Sequence, residues 1–159
     1  MHTLSTELAD LFARDISRVI QEIEAFPDTP SIWQTVPGVP NAAGTLALHL
    51  EGNLREFIGR QLGQIAFTRD RPLEFSARGV EKSELIARLE AVKVSIPPVI
   101  ARLTDAQLGA HFPEEYMGKP IVNRQFLVHL LAHLNYHLGQ VDYLRRVVTG
   151  KAAIDLAQL

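Results

Sequence analysis

Apolar residues recur along this chain at steps of three and four, and no stretch alternates strictly between apolar and polar positions as a half-buried strand would. The pattern predicts an all-α protein with four long helical segments. In the first, from about Thr3 to Ala25, Leu4, Leu8, Leu11, Phe12, Ile16, Val19, Ile20 and Ile23 share one face. Thr3 can cap it, and Pro27 and Pro30 stop it. Four prolines, a glycine and Trp33 between Phe26 and Asn41 read as an ordered loop, with Trp33 as its anchor. A second helix, from Asn41 or Thr45 to about Ala66, has its stripe in Leu46, Leu50, Leu54, Phe57, Ile58 and Ile65. Gly52, Gly59 and Gly63 lie inside it, each costing about 1 kcal/mol relative to alanine, and close approach by a ligand or another backbone would account for them.

The charged stretch Thr68 to Gly79 reads as a solvated connection long enough to cross the end of a bundle, so helix neighbours need not be antiparallel. A third helix from about Glu81 to Leu103 contains Pro97 and Pro98, which predict a kink or a division into two pieces. Thr104 and Gln107 have capping-box spacing for a short turn to about Ala110. After a loop through Pro113, Gly118 and Pro120, Asn123 is the expected cap of a last helix that ends at Arg145 and Arg146 before Gly150. Four such stripes shield one another by packing as a four-helix bundle, and a chain of 159 residues without internal repeats reads as one domain over 1–159.

Composition removes several classes of function. Sixteen Lys+Arg against 18 Asp+Glu, a formal net charge of -2, gives no basic excess for phosphate contacts, so nucleic acid is not the expected partner. Glu7, Asp10, Asp15, Glu22 and Glu24 interrupt the first 25 residues where a signal peptide needs an apolar run, and no segment is long and apolar enough to span a membrane. A cytoplasmic protein without membrane attachment is the expectation. The cysteine count is 0, which excludes disulfides, thiolate zinc sites and a cysteine nucleophile.

Six histidines remain, and His129, His133 and His137 stand four apart on the last helix. At about 100° per residue, Leu127, Leu131, Leu134, Leu138 and Val141 mark its core-facing side, and His137 lies about 80°, His133 about 120° and His129 about 160° from that centre. His133 and His137 are therefore the better ligand pair, with His129 a surface or outer residue. His49, bordering the apolar stripe of the second helix, is the best third ligand for a site with an open position. His2 and His111 are poorly placed. Leu134 stands where H-E-x-x-H needs glutamate, which removes the usual zinc-protease reading. Asn53, one turn after His49, and Gln140, three residues after His137, can accept the second N–H of a ligating imidazole. Tyr136 faces away from the core, and neither Glu51 nor Glu56 shows an acid/base pairing.

The segments His129-Leu-Leu-Ala-His133-Leu-Asn-Tyr-His137-Leu-Gly-Gln140 and Gly44-Thr-Leu-Ala-Leu-His49-Leu-Glu-Gly-Asn53, with the spacing between them, resemble the DinB superfamily of metal-dependent enzymes over nearly the whole chain. The resemblance implies a four-helix bundle with long crossover connections and a divalent metal, often zinc or nickel, held by His49, His133 and His137. It also implies a small-molecule substrate, with a low-molecular-weight thiol such as bacillithiol or mycothiol as cosubstrate in transferase or isomerase relatives, hydrolysis as the other chemistry, and a homodimer as an assembly. Where many relatives carry an arginine before the Gly-Gln pair, Leu138 stands here, so an anion contact from that position is missing. The competing expectation is a non-catalytic bundle that binds a small ligand or partner, its metal structural or absent.

Overall fold

The computed structural model describes residues 3–155; His2 lies outside them. Among the described residues there are helices and isolated bridges but no strands. Helix α1 spans Leu4–Glu24, opened by a capping box in which the Thr3 side chain accepts from the Thr6 backbone N–H. A single turn, α2 (Thr29–Ile32), follows under an Asp28 cap. Trp33 anchors this loop: its indole N–H donates to the Val80 carbonyl at 3.0 Å, and its ring lies so close to Gly44 that a Cβ there would sit 2.7 Å from it.

Helix α3 spans Ala43–Leu54, and every one of its residues is buried, which explains why it is apolar around most of its circumference. It runs on into a π-helical segment, Arg55–Arg60, that the apolar spacing does not announce. The stretch after it is less irregular than its charge suggests, for Asp70 caps a short helix, α4 (Arg71–Ser76), that begins on Arg71-Pro72 and buries Glu74. Helix α5 (Lys82–Ala101) continues through Pro97 and Pro98 rather than dividing. Both prolines fall near its C-terminus, where two missing N–H donors leave little helix to deflect. Helix α6 spans Asp105–Gly109, and α7 spans Asn123–Thr149. The N-cap of α7 is Val122, not Asn123. The Asn123 side chain instead donates to the Gln107 carbonyl at 2.8 Å, fastening α7 to α6. Gly150, with φ of 68°, closes α7 in the left-handed conformation that glycine tolerates.

Contacts fix the directions of the long helices. His49 meets His133 and Phe57 meets Phe126, so α3 and α7 run antiparallel. Gly59 packs on Ile96 and Gly63 on Val99, which makes α3 with its π-helical extension parallel to α5. Asp15 bonds Asn135 and Glu22 bonds Arg145, so α1 runs parallel to α7. A parallel α3–α5 pair requires the intervening chain to return along the molecule, and α4 lies on that return path. One cluster of Leu, Ile, Val and Phe from α1, α3, α5 and α7 forms the core. Among the described residues no helix is long and apolar enough to cross a membrane.

Candidate metal centre

The antiparallel α3–α7 contact brings His49, His133 and His137 together with one ligand-capable atom from each within 4.8 Å of the others. His133 Nε2 lies 3.2 Å from His49 Nε2 and 3.1 Å from His137 Nε2. His49 is buried, and the two α7 histidines are half-buried. Phe75 from α4 packs on the His49 ring and Tyr136 on the His137 ring, with centroids 5.0 and 5.3 Å apart.

The outer nitrogens decide what the inner ones offer. His49 Nδ1 donates to Glu74 Oε2 at 3.0 Å, and His137 Nδ1 donates to Gln140 Oε1 at 2.6 Å. Each imidazole thereby keeps its proton on Nδ1 and turns an Nε2 lone pair inward. His133 Nδ1 is buried and has no hydrogen-bond partner. If His133 carries its proton there, three lone pairs converge with no hydrogen between them. If it carries the proton on Nε2, that one hydrogen faces two acceptors and Nδ1 is an orphaned acceptor. A cation at the convergence of the three Nε2 atoms relieves the first arrangement, and neutral imidazoles are the form that ligates. The donor set, imidazole nitrogen only, suits a divalent transition-metal ion rather than a hard cation such as magnesium or calcium.

Glu74 is the residue that the charge pattern conceals. Arg69 grips its carboxylate with Nε at 2.6 Å from Oε1 and Nη2 at 2.9 Å from Oε2. Burial alone would raise the Glu74 carboxyl, but the hydrogen bonds from His49 and Arg69 outweigh it and hold the group below the usual carboxylate range. Arg69 Nη2 also lies 3.5 Å from His49 Nδ1, a contact secondary to its bond with Glu74, since an Nδ1 that donates to Glu74 cannot accept. Gly52 makes this approach sterically feasible: a Cβ there would stand 2.0 Å from Glu74 Oε1. An unexplained glycine three residues after His49 was the available signal.

The other nominated residues have separate places. Asn53 is buried but does not reach His49, and its Oδ1 has no hydrogen-bond partner. His129 belongs to an aromatic cluster, stacked on Phe126 at 5.9 Å and against Tyr116 at 4.7 Å. His111 pairs with Val122 in an isolated bridge away from the triad. Glu51 is engaged by Arg55 and Arg88, and Glu56 by Arg60.

Burial pushes the His133 imidazole down to about 4, and the neighbouring charges of His137 and His49 push in the same direction. His137 is lowered for the same leading reason, partly opposed by its bond to Gln140. Glu74 also forms part of the wall of a cavity of about 400 Å³ bordered by Leu48, Glu51, Arg55 and Leu73. An open groove of about 530 Å³ runs along Phe57, Phe67, Arg69 and Arg71.

Comparison with known proteins agrees with the architecture. A family model described as the DinB superfamily matches residues 11–141. A crystal structure of a DinB-like protein from Bacillus cereus ATCC 10987 superposes with a TM-score of 0.72 at 17% sequence identity, covering 92% of this chain and 93% of that one. A conserved protein from Enterococcus faecalis superposes with a TM-score of 0.76, also at 17% identity, covering 95% of this chain and 100% of its own. No curated protein matches the chain by sequence.

Proposed function

The chain belongs to the DinB superfamily, and from that premise we propose a divalent-metal-dependent enzyme that acts on a small molecule from a four-helix bundle with a long crossover. The observation that carries this reading is the convergence of three Nε2 atoms, two of them fixed as lone-pair donors by Glu74 and Gln140. In it, His49, His133 and His137 hold the ion, with zinc or nickel as its identity. Three protein ligands leave a coordination position for substrate, as in catalytic rather than structural sites. Bound there, the ion supplies Lewis-acid chemistry and lowers the pKa of water or of an incoming thiol.

The chain's own residues prepare the site. Glu74 and Gln140 orient two imidazoles and keep their protons on the outer nitrogens. Arg69 keeps the Glu74 carboxylate ionised at the site's edge. Phe75 and Tyr136 flank two of the histidines with aromatic rings. With a cysteine count of 0, sulfur chemistry requires a thiol cosubstrate, which makes thiol-dependent transfer and hydrolysis the two reactions to separate.

Metal analysis of untagged protein tests the proposal. One divalent ion per chain, lost in His49→Ala, is the expected result; metal-free protein, or uptake indifferent to His49→Ala, overturns the site. Turnover of the metal-replete protein is then screened with low-molecular-weight thiols plus electrophiles, beside esters and amides. Uniformly null turnover would replace catalysis with the binding-module reading.

A further inference from the structure

Two polar rows face each other across the α3–α7 contact. Thr45, His49 and Asn53 recur every four residues on α3, and His129, His133 and His137 recur every four on α7. Residues four apart share a helix face. The contacts of His49 with His133 and of Phe57 with Phe126 fix the antiparallel register, which sets Thr45 level with His137 and Asn53 level with His129. The triad takes the middle of both rows and one end of the α7 row. Asn53 and His129, at the other end, lie outside it.

Unmet hydrogen-bonding capacity gathers on these rows. Among the described residues, five buried side-chain atoms lack a hydrogen-bond partner, and Thr45 Oγ1, Asn53 Oδ1 and His133 Nδ1 are three of them. A buried polar atom without a partner costs stability, so one kept beside a candidate site points to a partner that arrives with a ligand. Thr45 is 0% exposed and closed to any newcomer, whereas Asn53 is 7% exposed. Phe57, one turn beyond Asn53, lines the open groove that also carries Arg69. His129 is half-buried, its ring held against Tyr116 and Phe126. The helix also becomes π-helical two residues after Asn53, a local change of winding that is frequent at functional sites.

We propose that Asn53 is a substrate-binding residue, its Oδ1 accepting a hydrogen bond from an N–H or O–H of the small molecule in a subsite between α3 and α7, one turn from the triad. The premise is a metal ion held by His49, His133 and His137. At about 1.5 Å per residue, Asn53 stands about 6 Å beyond His49 along α3, so one small ligand can reach both the ion and the amide. An amide oxygen selects for a donor. Carboxylates and esters, which offer only acceptors, gain nothing at Oδ1. The ligand class is therefore a metal-binding group with an uncharged N–H or O–H beside it, as in a hydroxamate or an amide.

Calorimetric titration of the zinc-loaded full chain with acetohydroxamate and with N-methylacetohydroxamate tests the proposal. Both chelate a metal through two oxygens, and only the first keeps an N–H. The unmodified chain is expected to bind the N–H form at least about tenfold more tightly, and Asn53→Leu, of similar volume, to bind the two alike. A preference that came only from the bulk of the N-methyl group survives that substitution. In metal-free protein, Asn53→Leu is expected to raise the urea midpoint, because it removes an unpartnered buried amide; a residue that only held the helices together moves the midpoint the other way. Zinc-loaded protein that binds neither probe or both alike, a preference that persists in Asn53→Leu, or a lowered urea midpoint overturns the proposal and leaves the metal site standing. Protein that takes up no zinc overturns the metal site, and the proposal falls with it.

Discussion

Two buried glutamates, each paired with a buried or half-buried arginine, are displaced in opposite directions. Glu22 on α1 meets Arg145 on α7, and its carboxyl is raised, chiefly because burial outweighs the arginine. Glu74 on α4 meets Arg69, and its carboxyl is lowered although burial works against it. Their second oxygens account for the difference. Glu74 Oε2 receives both Arg69 Nη2 and His49 Nδ1, while Glu22 Oε1 has no partner. Arg145 divides its donors among Glu22, Asp142 and the Ala152 carbonyl. The Glu22 pair ties α1, α7 and the segment just after α7 together and goes no further. The Glu74 pair is connected through an imidazole to a cluster of lone pairs, and that connection distinguishes a site from a staple.

The largest test of this contrast removes the staple. Arg145→Ala leaves Glu22 buried without its cation and is expected to cost about 3–5 kcal/mol, read from the urea midpoint, while protein that still folds binds metal as before. Loss of metal uptake in folded Arg145→Ala would erase the distinction between the two pairs.

Acid probes the other cluster. The His133 imidazole is lowered from 6.5 to about 4 in the folded chain, so the unfolded chain binds more protons between those values. Stability of the metal-free protein is then full above pH 6.5 and declines as pH falls toward 4. The decline is on the order of 2–3 kcal/mol, and His137 adds to it with the same sign. Denaturant curves at pH 7, 5.5 and 4.5 measure this slope. A His133→Phe variant should flatten it, and an unchanged slope would mean that other groups carry the acid response.

Smaller effects sharpen the comparison. Glu74→Gln should weaken metal binding by about 10- to 100-fold, measured by chelator competition, with little change in the unfolding of metal-free protein. Gly52→Ala forces a methyl group into the Glu74 carboxylate. It should reproduce much of that loss, with no additional loss when combined with Glu74→Gln. Gln140→Ala should cost less, about tenfold at most, because half-buried His137 can bond water in its place.

The sequence pattern made the long helices legible because burial along α1, α5 and α7 follows helical spacing closely. It also brought out the three histidines, through helix angles for His133 and His137 and through family resemblance for the set. It failed where burial and polarity part company. Arg69, Asp70 and Arg71 look like a solvated turn, yet Asp70 caps a helix that drives Glu74 inward. Asn53 has the right chemistry and spacing to serve His49, but Glu74 enters across the adjacent Gly52 and takes the bond. The π-helical segment after Leu54 has no signature in apolar spacing, and Asn123 has a capping residue's chemistry but gives its side chain to α6. Each miss is a tertiary contact overriding a local preference.

The 84 positions that separate His49 from His133 also set an order of events during synthesis. A nascent chain emerges from its N-terminus, so His49, Arg69 and Glu74 are all made well before their counterparts on α7. Until that helix folds back against α3, the half-site offers one imidazole and an arginine-bound carboxylate, too few nitrogens for a lasting hold on an ion. An ion held by all three histidines therefore requires α7 to have been made and folded back against α3, and a chain truncated before His133 would carry only His49 of the three.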